Sequence, residues 1–142
     1  MTAMYHQMIS NAGIRPSVQR VAIYAYLCEH HTHPTVEAVY EDLSPKYPTL
    51  SRTTIYNTLK LFEEKRLVQS IQIEDDKLRY DCDTSDHVHF KCSRCGKVYD
   101  MFNGGKILLP KISDSNFLPH GFTPHKMQTN IWGVCPECST RK

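Results

Sequence analysis

The first half of the chain carries short apolar stripes at helical spacing, separated by residues that cap or end helices. Four helices are predicted: Gly13 ends the first, Thr35 starts the third, Pro45 ends the third and Ser51 starts the fourth. The positions expected to face the core are Tyr5, Met8, Ile9 and Ala12 in the first helix, Val18, Val21, Ala22 and Ala25 in the second, Val36, Val39, Tyr40 and Leu43 in the third, and Ile55, Leu59 and Phe62 in the fourth.

A β-hairpin is predicted after the helices. Residues 67–73 and 78–81 are apolar-rich and flank the polar stretch 74–77, which reads Glu-Asp-Asp-Lys. Three or four short helices followed by a hairpin are typical of a winged helix-turn-helix domain. We therefore assign residues 1–81 to a winged-helix domain and residues 82–86, where the composition shifts, to a hinge.

The second half reads as strands and turns, with strands predicted near 87–92, 97–102 and 126–132. Residues 106–118 show no clear pattern, because Pro110 interrupts an apolar segment. We assign residues 87–142 to a small α/β domain, so the predicted fold class is α+β.

Composition and charge exclude several classes of protein. The chain has 142 residues, of which 40% are hydrophobic and 23% are charged, as in a globular protein. No apolar run approaches the ~18 residues of a membrane helix, and the N-terminus lacks the pattern of a secretory signal, so we expect a cytoplasmic protein with no membrane partner. The net charge of +2 is too small to indicate nucleic-acid binding by itself.

The fourth predicted helix carries a polar flank suited to DNA. A helical wheel places a guanidinium, two hydroxyls and an ammonium on one side of its apolar stripe, in Arg52, Thr53, Tyr56 and Lys60. This flank is typical of a recognition helix in the major groove, and a winged helix that reads few bases favours a homodimer on a palindromic operator. Arg15 and Arg20 are candidates for phosphate contacts. A solvated helix face is the alternative interpretation.

Four of the six cysteines form two C-x-x-C pairs, Cys92/Cys95 and Cys135/Cys138. In a reducing compartment two such pairs predict a metal site, and four thiolates suit a closed, structural Zn(II) site. Redox-active or disulfide-bonded turns are the alternative. Cys28 is expected to be a small buried hydrophobic residue, and no role is predicted for Cys82.

Histidines and carboxylates surround the first cysteine pair. His87 and His89 alternate along a predicted strand and so share one face. If Cys92 and Cys95 close a symmetric hairpin, His87 faces Asp100 and His89 faces Val98. Two imidazoles with carboxylates and no thiolate suit Fe(II) or Mn(II) at least as well as zinc. A polar surface patch is the alternative.

Together these residues resemble the ferric uptake regulator (Fur) family of metal-dependent bacterial repressors over nearly the whole chain. The cysteine pairs contribute to the resemblance, and the other motifs that carry it are Gly13-Ile14-Arg15-Pro16-Ser17-Val18-Gln19-Arg20, His33-Pro34-Thr35, Ser51-Arg52-Thr53-Thr54-Ile55-Tyr56-Asn57, Asp86-His87-Val88-His89 and Gly133-Val134-Cys135. The resemblance implies a winged-helix domain joined by a hinge to a dimerisation domain, with all four paired cysteines as ligands of structural zinc.

The resemblance also implies a second, regulatory metal site. In the peroxide-sensing, PerR-like branch of the family, the ligands of Fe(II) or Mn(II) match His33, Asp81, His87, His89 and Asp100. His33 and His87 are then the residues that peroxide oxidises when iron is bound. An aspartate at position 81 resembles the peroxide sensors, whereas an iron-responsive repressor without peroxide sensing is the nearest alternative function.

Enzymatic functions fit the sequence less well, and we predict that the chain is not an enzyme and binds no organic cofactor. Zinc deaminases combine a histidine motif with C-x-x-C, but they need an H-x-E motif, and the third residue here is His89. A thiol-disulfide oxidoreductase that uses Cys92 and Cys95 would leave the second cysteine pair without a purpose.

Overall fold

The structure, a computed structural model, describes residues 2–30, 32–84, 88–101, 118–124 and 127–140. The chain divides into two compact units, residues 1–84 (unit 1) and 85–142 (unit 2). The assignment of DNA binding to the first domain and dimerisation to the second, and the hinge at 82–86, stay predictions.

Unit 1 contains four helices followed by a two-stranded antiparallel hairpin, as the sequence predicts, and this order fits the winged helix-turn-helix. The side chains of Ser17, Thr35 and Ser51 cap the second, third and fourth helices by accepting hydrogen bonds from backbone N–H groups of the first turn. The elements are α1 (Thr2–Asn11), α2 (Val18–Glu29), α3 (Val36–Leu43), α4 (Arg52–Glu64), β1 (Gln69–Ile71) and β2 (Arg79–Asp81).

The core of unit 1 lies between all four helices and the hairpin. Most of the observed burial agrees with the predicted core positions, but one predicted position is exposed. Ile55, Leu59 and Phe62 are fully buried, as predicted. Val18 is 73% exposed, because it is the first residue of α2 and lies beyond the end of the core. The buried face of α2 is wider than the predicted stripe and includes Tyr24.

Unit 2 contains a three-stranded sheet in the order β4-β3-β5, in which β3 pairs antiparallel with β4 and parallel with β5. The strands are β3 (Val88–Cys92), β4 (Val98–Met101) and β5 (Thr129–Gly133), and a short helix, α5 (Pro136–Thr140), follows. These strands agree with the predicted ones. Most of the segment 106–118 lies outside the described residues. Where the structure describes the chain, no helix combines the length and apolar character that crossing a membrane requires.

The register between β3 and β4 differs from the predicted one by two residues. His89 pairs with Asp100, so the prediction that His87 faces Asp100 and His89 faces Val98 was wrong. The turn is longer than assumed: Cys92 N–H donates to the carbonyl of Lys97, and Gly96 adopts a positive φ of 79° inside it. Because the slip is even, the described side chains of β3 and β4 keep their predicted faces of the sheet.

Candidate metal centres and DNA-facing helix

The four paired cysteines come together at one end of the sheet of unit 2. Cys92 ends β3, Cys95 lies in the turn after it, Cys135 follows β5 and Cys138 lies in α5. All four Sγ atoms lie within 4.8 Å of one another, and those of Cys95 and Cys135 are 3.8 Å apart. Zn–S bonds of about 2.3 Å in a tetrahedron require sulfurs about 3.8 Å apart, so this donor set fits zinc.

Hydrogen bonds favour the thiolate form of part of this cluster. Cys92 Sγ accepts the backbone N–H groups of Cys95 (3.5 Å) and Cys135 (3.4 Å), which lower the pKa of Cys92 to about 5. The neighbouring Cys135 sulfur raises the pKa of Cys138 to about 12. The protein alone therefore does not hold four thiolates together at neutral pH, whereas a divalent cation among them would.

Unit 1 contains a buried histidine paired with a buried aspartate. His33 Nε2 lies 3.5 Å from Asp81 Oδ2, and the two side chains are 2% and 6% exposed. His33 has a φ of 57° and precedes Pro34, a backbone conformation that non-glycine residues rarely adopt. Arg79 Nη1 donates to the carbonyl of His33 (3.1 Å), which helps to hold this loop against β2. Such strain is often found at functional sites.

Unit 2 contains a second histidine–aspartate pair. His89 Nε2 on β3 lies 3.4 Å from Asp100 Oδ1 on β4, with side chains 2% and 15% exposed. His87 lies outside the described residues. Each of these two pairs thus consists of an imidazole and a carboxylate without a thiolate, a donor set that fits Fe(II) or Mn(II).

Four of the candidate DNA-binding residues lie on α4. Thr53, Tyr56 and Lys60 are exposed on it, together with Arg52. The other two lie near the start of α2, where Arg15 is exposed and Arg20 is partly buried; Arg20 Nη1 donates to the carbonyl of Arg15 (2.7 Å).

The Arg52 guanidinium is held by two residues of α3 that sequence reasoning missed. It donates to both carboxylate oxygens of Glu37, at 2.6 and 2.9 Å, and lies 4.0 Å from the centre of the Tyr40 ring. These contacts raise the pKa of Arg52 and lower that of Glu37. No pattern within one helix reveals them, because they depend on how α3 packs against α4.

The fold and the cysteine cluster fit a zinc-binding protein with a winged-helix unit, and comparison with known proteins defines the family. The model of the ferric uptake regulator family matches residues 11–129. The chain is 37% identical over 137 residues to the peroxide-responsive repressor PerR of Staphylococcus aureus (strain Mu50), which covers 94% of this chain and 88% of that protein. The chain therefore belongs to the ferric uptake regulator family of metal-responsive regulators.

Solved structures agree with this assignment. PerR from Streptococcus pyogenes, described in terms of peroxide sensing and gene regulation, is 27% identical and has a TM-score of 0.51, covering 93% of this chain and 88% of that one. The ferric uptake regulator of Francisella tularensis with iron is 21% identical and has a TM-score of 0.68, covering 89% and 96%. The latter likeness supports the fold alone.

Proposed function

We propose that this protein is a cytoplasmic, metal-dependent repressor that binds palindromic operator DNA as a homodimer and senses peroxide through oxidation of a ligand histidine. The observation that carries this proposal is the buried histidine–aspartate pair in each unit, His33 with Asp81 and His89 with Asp100. Burial of imidazole and carboxylate groups is unfavourable unless charge or hydrogen bonding compensates, and a divalent cation provides such compensation.

The proposed regulatory ion is Fe(II) or Mn(II), bound by one pair from each unit together with His87. A ligand set divided in this way makes metal binding depend on the relative position of the two units, and so on the spacing of the DNA-reading helices in a dimer. Metal binding and DNA binding then strengthen each other to the same extent, typically by ~1–3 kcal/mol.

The proposed peroxide response takes place at the ligand histidines. Bound Fe(II) would activate peroxide by one-electron transfer, chemistry that Mn(II) does not readily drive. Over the whole reaction the histidine ring would supply the two electrons, as one peroxide oxygen adds to the ring and the other leaves as water. His33 and His87 are the proposed acceptors of the oxygen atom. The positive φ of His33 and the hydrogen bond from Arg79 to its carbonyl define the backbone conformation from which this ring extends. An oxidised ring would be a poor ligand, and the repressor would leave the operator.

The proposed DNA contacts are those of α4 and the start of α2. Arg52 is set for bidentate recognition of guanine, since Glu37 and Tyr40 already fix the plane of its guanidinium. Thr53, Tyr56 and Lys60 extend this surface, and Arg15 and Arg20 are the proposed phosphate contacts. The Staphylococcus aureus relative, a peroxide-responsive repressor by name, supports the same function.

The test compares Fe(II)-loaded and Mn(II)-loaded protein after treatment with stoichiometric peroxide. We expect one added oxygen on the peptide that carries His33 or His87 in the iron form alone, with zinc retained and operator binding lost. His120→Ala, an exposed histidine of unit 2, is the matched control and should change neither readout. If both forms stayed unmodified while DNA binding still followed the metal, the protein would be an iron- or manganese-responsive repressor, and peroxide sensing would be wrong.

A further inference from the structure

One arginine of the proposed DNA surface is held by residues of a neighbouring helix. Arg52 is the first residue of α4, and Glu37 lies in the first turn of α3. Arg52 Nε and Nη2 donate to the two carboxylate oxygens of Glu37, at 2.6 and 2.9 Å, and the guanidinium carbon lies 4.0 Å from the centre of the Tyr40 ring. The carboxylate therefore holds one edge of the guanidinium, and the ring covers one of its faces.

This contact is not explained by folding. The side chains of Arg52 and Glu37 are 57% and 53% exposed, and a salt bridge between exposed charges contributes little to the free energy of unfolding. A carboxylate on a DNA-binding surface also repels phosphate, so Glu37 weakens the attraction of this surface for any DNA. A role in the choice of DNA sequence explains why the carboxylate lies there.

We propose that Glu37 and Tyr40 are positioning residues that make operator binding specific for a guanine opposite Arg52. This inference rests on the proposed function. Glu37 occupies the edge formed by Nε and Nη2, which leaves the end-on edge, Nη1 and Nη2, to donate to a base. Guanine offers two acceptors, O6 and N7, to such a fork in the major groove, whereas adenine offers one acceptor and one donor.

The carboxylate belongs to a helix that is also fixed by contacts outside α4. Thr35 caps α3 by accepting the backbone N–H of Ala38 at 3.2 Å, and the helix dipole favours an acidic side chain in the first turn. Near the other end of α3, Asp42 accepts the hydroxyl of Tyr26 on α2 at 2.6 Å. Glu37 can thus impose its position on an arginine of another helix.

The opposite role for Glu37 would be to compete with DNA for Arg52. Removal of a competing carboxylate would tighten operator binding and leave the preference for guanine intact. Removal of a positioning carboxylate would strengthen binding to unrelated DNA, because a negative charge is lost, but would reduce the preference for guanine. Affinity and base preference, measured together, therefore distinguish the two roles.

The test begins with selection of the operator from randomised duplex DNA by zinc- and Mn(II)-loaded protein. Fluorescence anisotropy with single-base variants of the selected duplex then measures the base preference. Arg52→Ala should lose the preference at one G·C pair in each half-site, which identifies the pair that Arg52 contacts. At that pair, Glu37→Gln should lower the preference for guanine over adenine by at least about 5-fold, because a bidentate contact typically contributes roughly 5- to 150-fold.

Glu41→Gln is the matched control, because it removes the same charge from an exposed position of the same helix. It should strengthen binding to unrelated duplex DNA as much as Glu37→Gln does, with the preference for guanine unchanged. Tyr40→Phe keeps the ring and should keep the preference, whereas Tyr40→Leu should weaken it. Both glutamate variants change exposed side chains, so their melting midpoints should match that of wild type.

Three results would overturn this inference. An unchanged preference for guanine in Glu37→Gln, with or without tighter operator binding, would show that Glu37 does not position Arg52 for a base. Selection of the same sequence by Arg52→Ala and by wild type would show that Arg52 reads no base. Both results would leave the repressor function standing. If wild type selected no sequence, the proposed function would fail, and this inference with it.

Discussion

The two units differ in what holds each of them together. Unit 1 has an apolar core to which all four helices contribute, with edge-to-face contacts of Tyr24 with Tyr5 and with Phe62. In the described part of unit 2, one buried cluster consists of three of the paired cysteines, with Phe90 and Tyr99 packed against them. Hydrophobic burial stabilises the first unit, whereas in the described part of the second unit we expect an ion bound among these sulfurs to add to the stability.

The two candidate metal centres also differ, both in the units that supply their ligands and in the kind of ligand atom. The cysteine cluster lies wholly within unit 2 and offers four sulfurs, which leaves no open position on a tetrahedral ion. The histidine–aspartate pairs belong to different units and offer oxygen and nitrogen. A closed thiolate site suits a permanent structural ion, whereas a divided site suits an ion whose presence is a signal. This contrast makes four predictions.

The largest effect is expected from loss of zinc. Cys135→Ser should abolish zinc binding and unfold unit 2, because structural zinc typically contributes ~10–16 kcal/mol to the folding of small domains. Zinc content and backbone NMR spectra would measure this, and the signals of unit 1 should remain dispersed. Cys28→Ser, which changes a cysteine outside the cluster, is the control and should keep the full zinc content. If unit 2 stayed folded in zinc-free protein, the prediction that zinc stabilises this unit would be wrong.

The second-largest effect is expected from a cavity in the apolar core of unit 1. Phe62 is fully buried and contacts Tyr24, so Phe62→Ala should lower the free energy of unfolding of unit 1 by about 3–5 kcal/mol. Zinc should stay bound, since unit 2 does not use this core. Phe122→Ala removes a ring that is 67% exposed and should change stability by less than about 0.5 kcal/mol. Chemical denaturation with zinc analysis measures both; loss of zinc from Phe62→Ala would contradict the independence of the units.

A smaller effect is expected where the proposed regulatory ion joins the two units. His33→Ala should remove the metal-dependent gain in operator affinity, about 5- to 150-fold, while leaving zinc and the metal-free affinity unchanged. Titration of labelled operator DNA with and without Mn(II) measures the gain. His6→Ala changes an exposed histidine of the same unit and should behave as wild type. An unchanged metal response in His33→Ala would rule out the divided site.

The sequence predicts a region of the structure well when the residues that determine that region lie close together in the chain. The helices of unit 1 and the cysteine pairs depend on spacings of a few residues. The structure confirms the helices and brings the four cysteine sulfurs together. The β3–β4 register was wrong because the turn extends to Lys97, which cysteine spacing does not reveal. The contact of Arg52 with Glu37 joins two different helices, so only the packed structure brings these two residues together.

The smallest predicted effect concerns one polar contact at the edge of the core of unit 1. The Tyr26 hydroxyl donates to Asp42 Oδ2 at 2.6 Å, and burial together with this carboxylate raises the pKa of Tyr26 to about 12. Tyr26→Phe should lower the free energy of unfolding by about 1 kcal/mol at pH 7. Folding favours the protonated hydroxyl, so the advantage of wild type should persist below pH 10 and disappear as the pH rises from about 10 towards 12. Tyr47→Phe, in the same core, is the control, and urea unfolding at pH 7 and pH 11 measures the difference. An advantage that is unchanged at pH 11 would mean that this hydroxyl contributes through packing rather than through its proton.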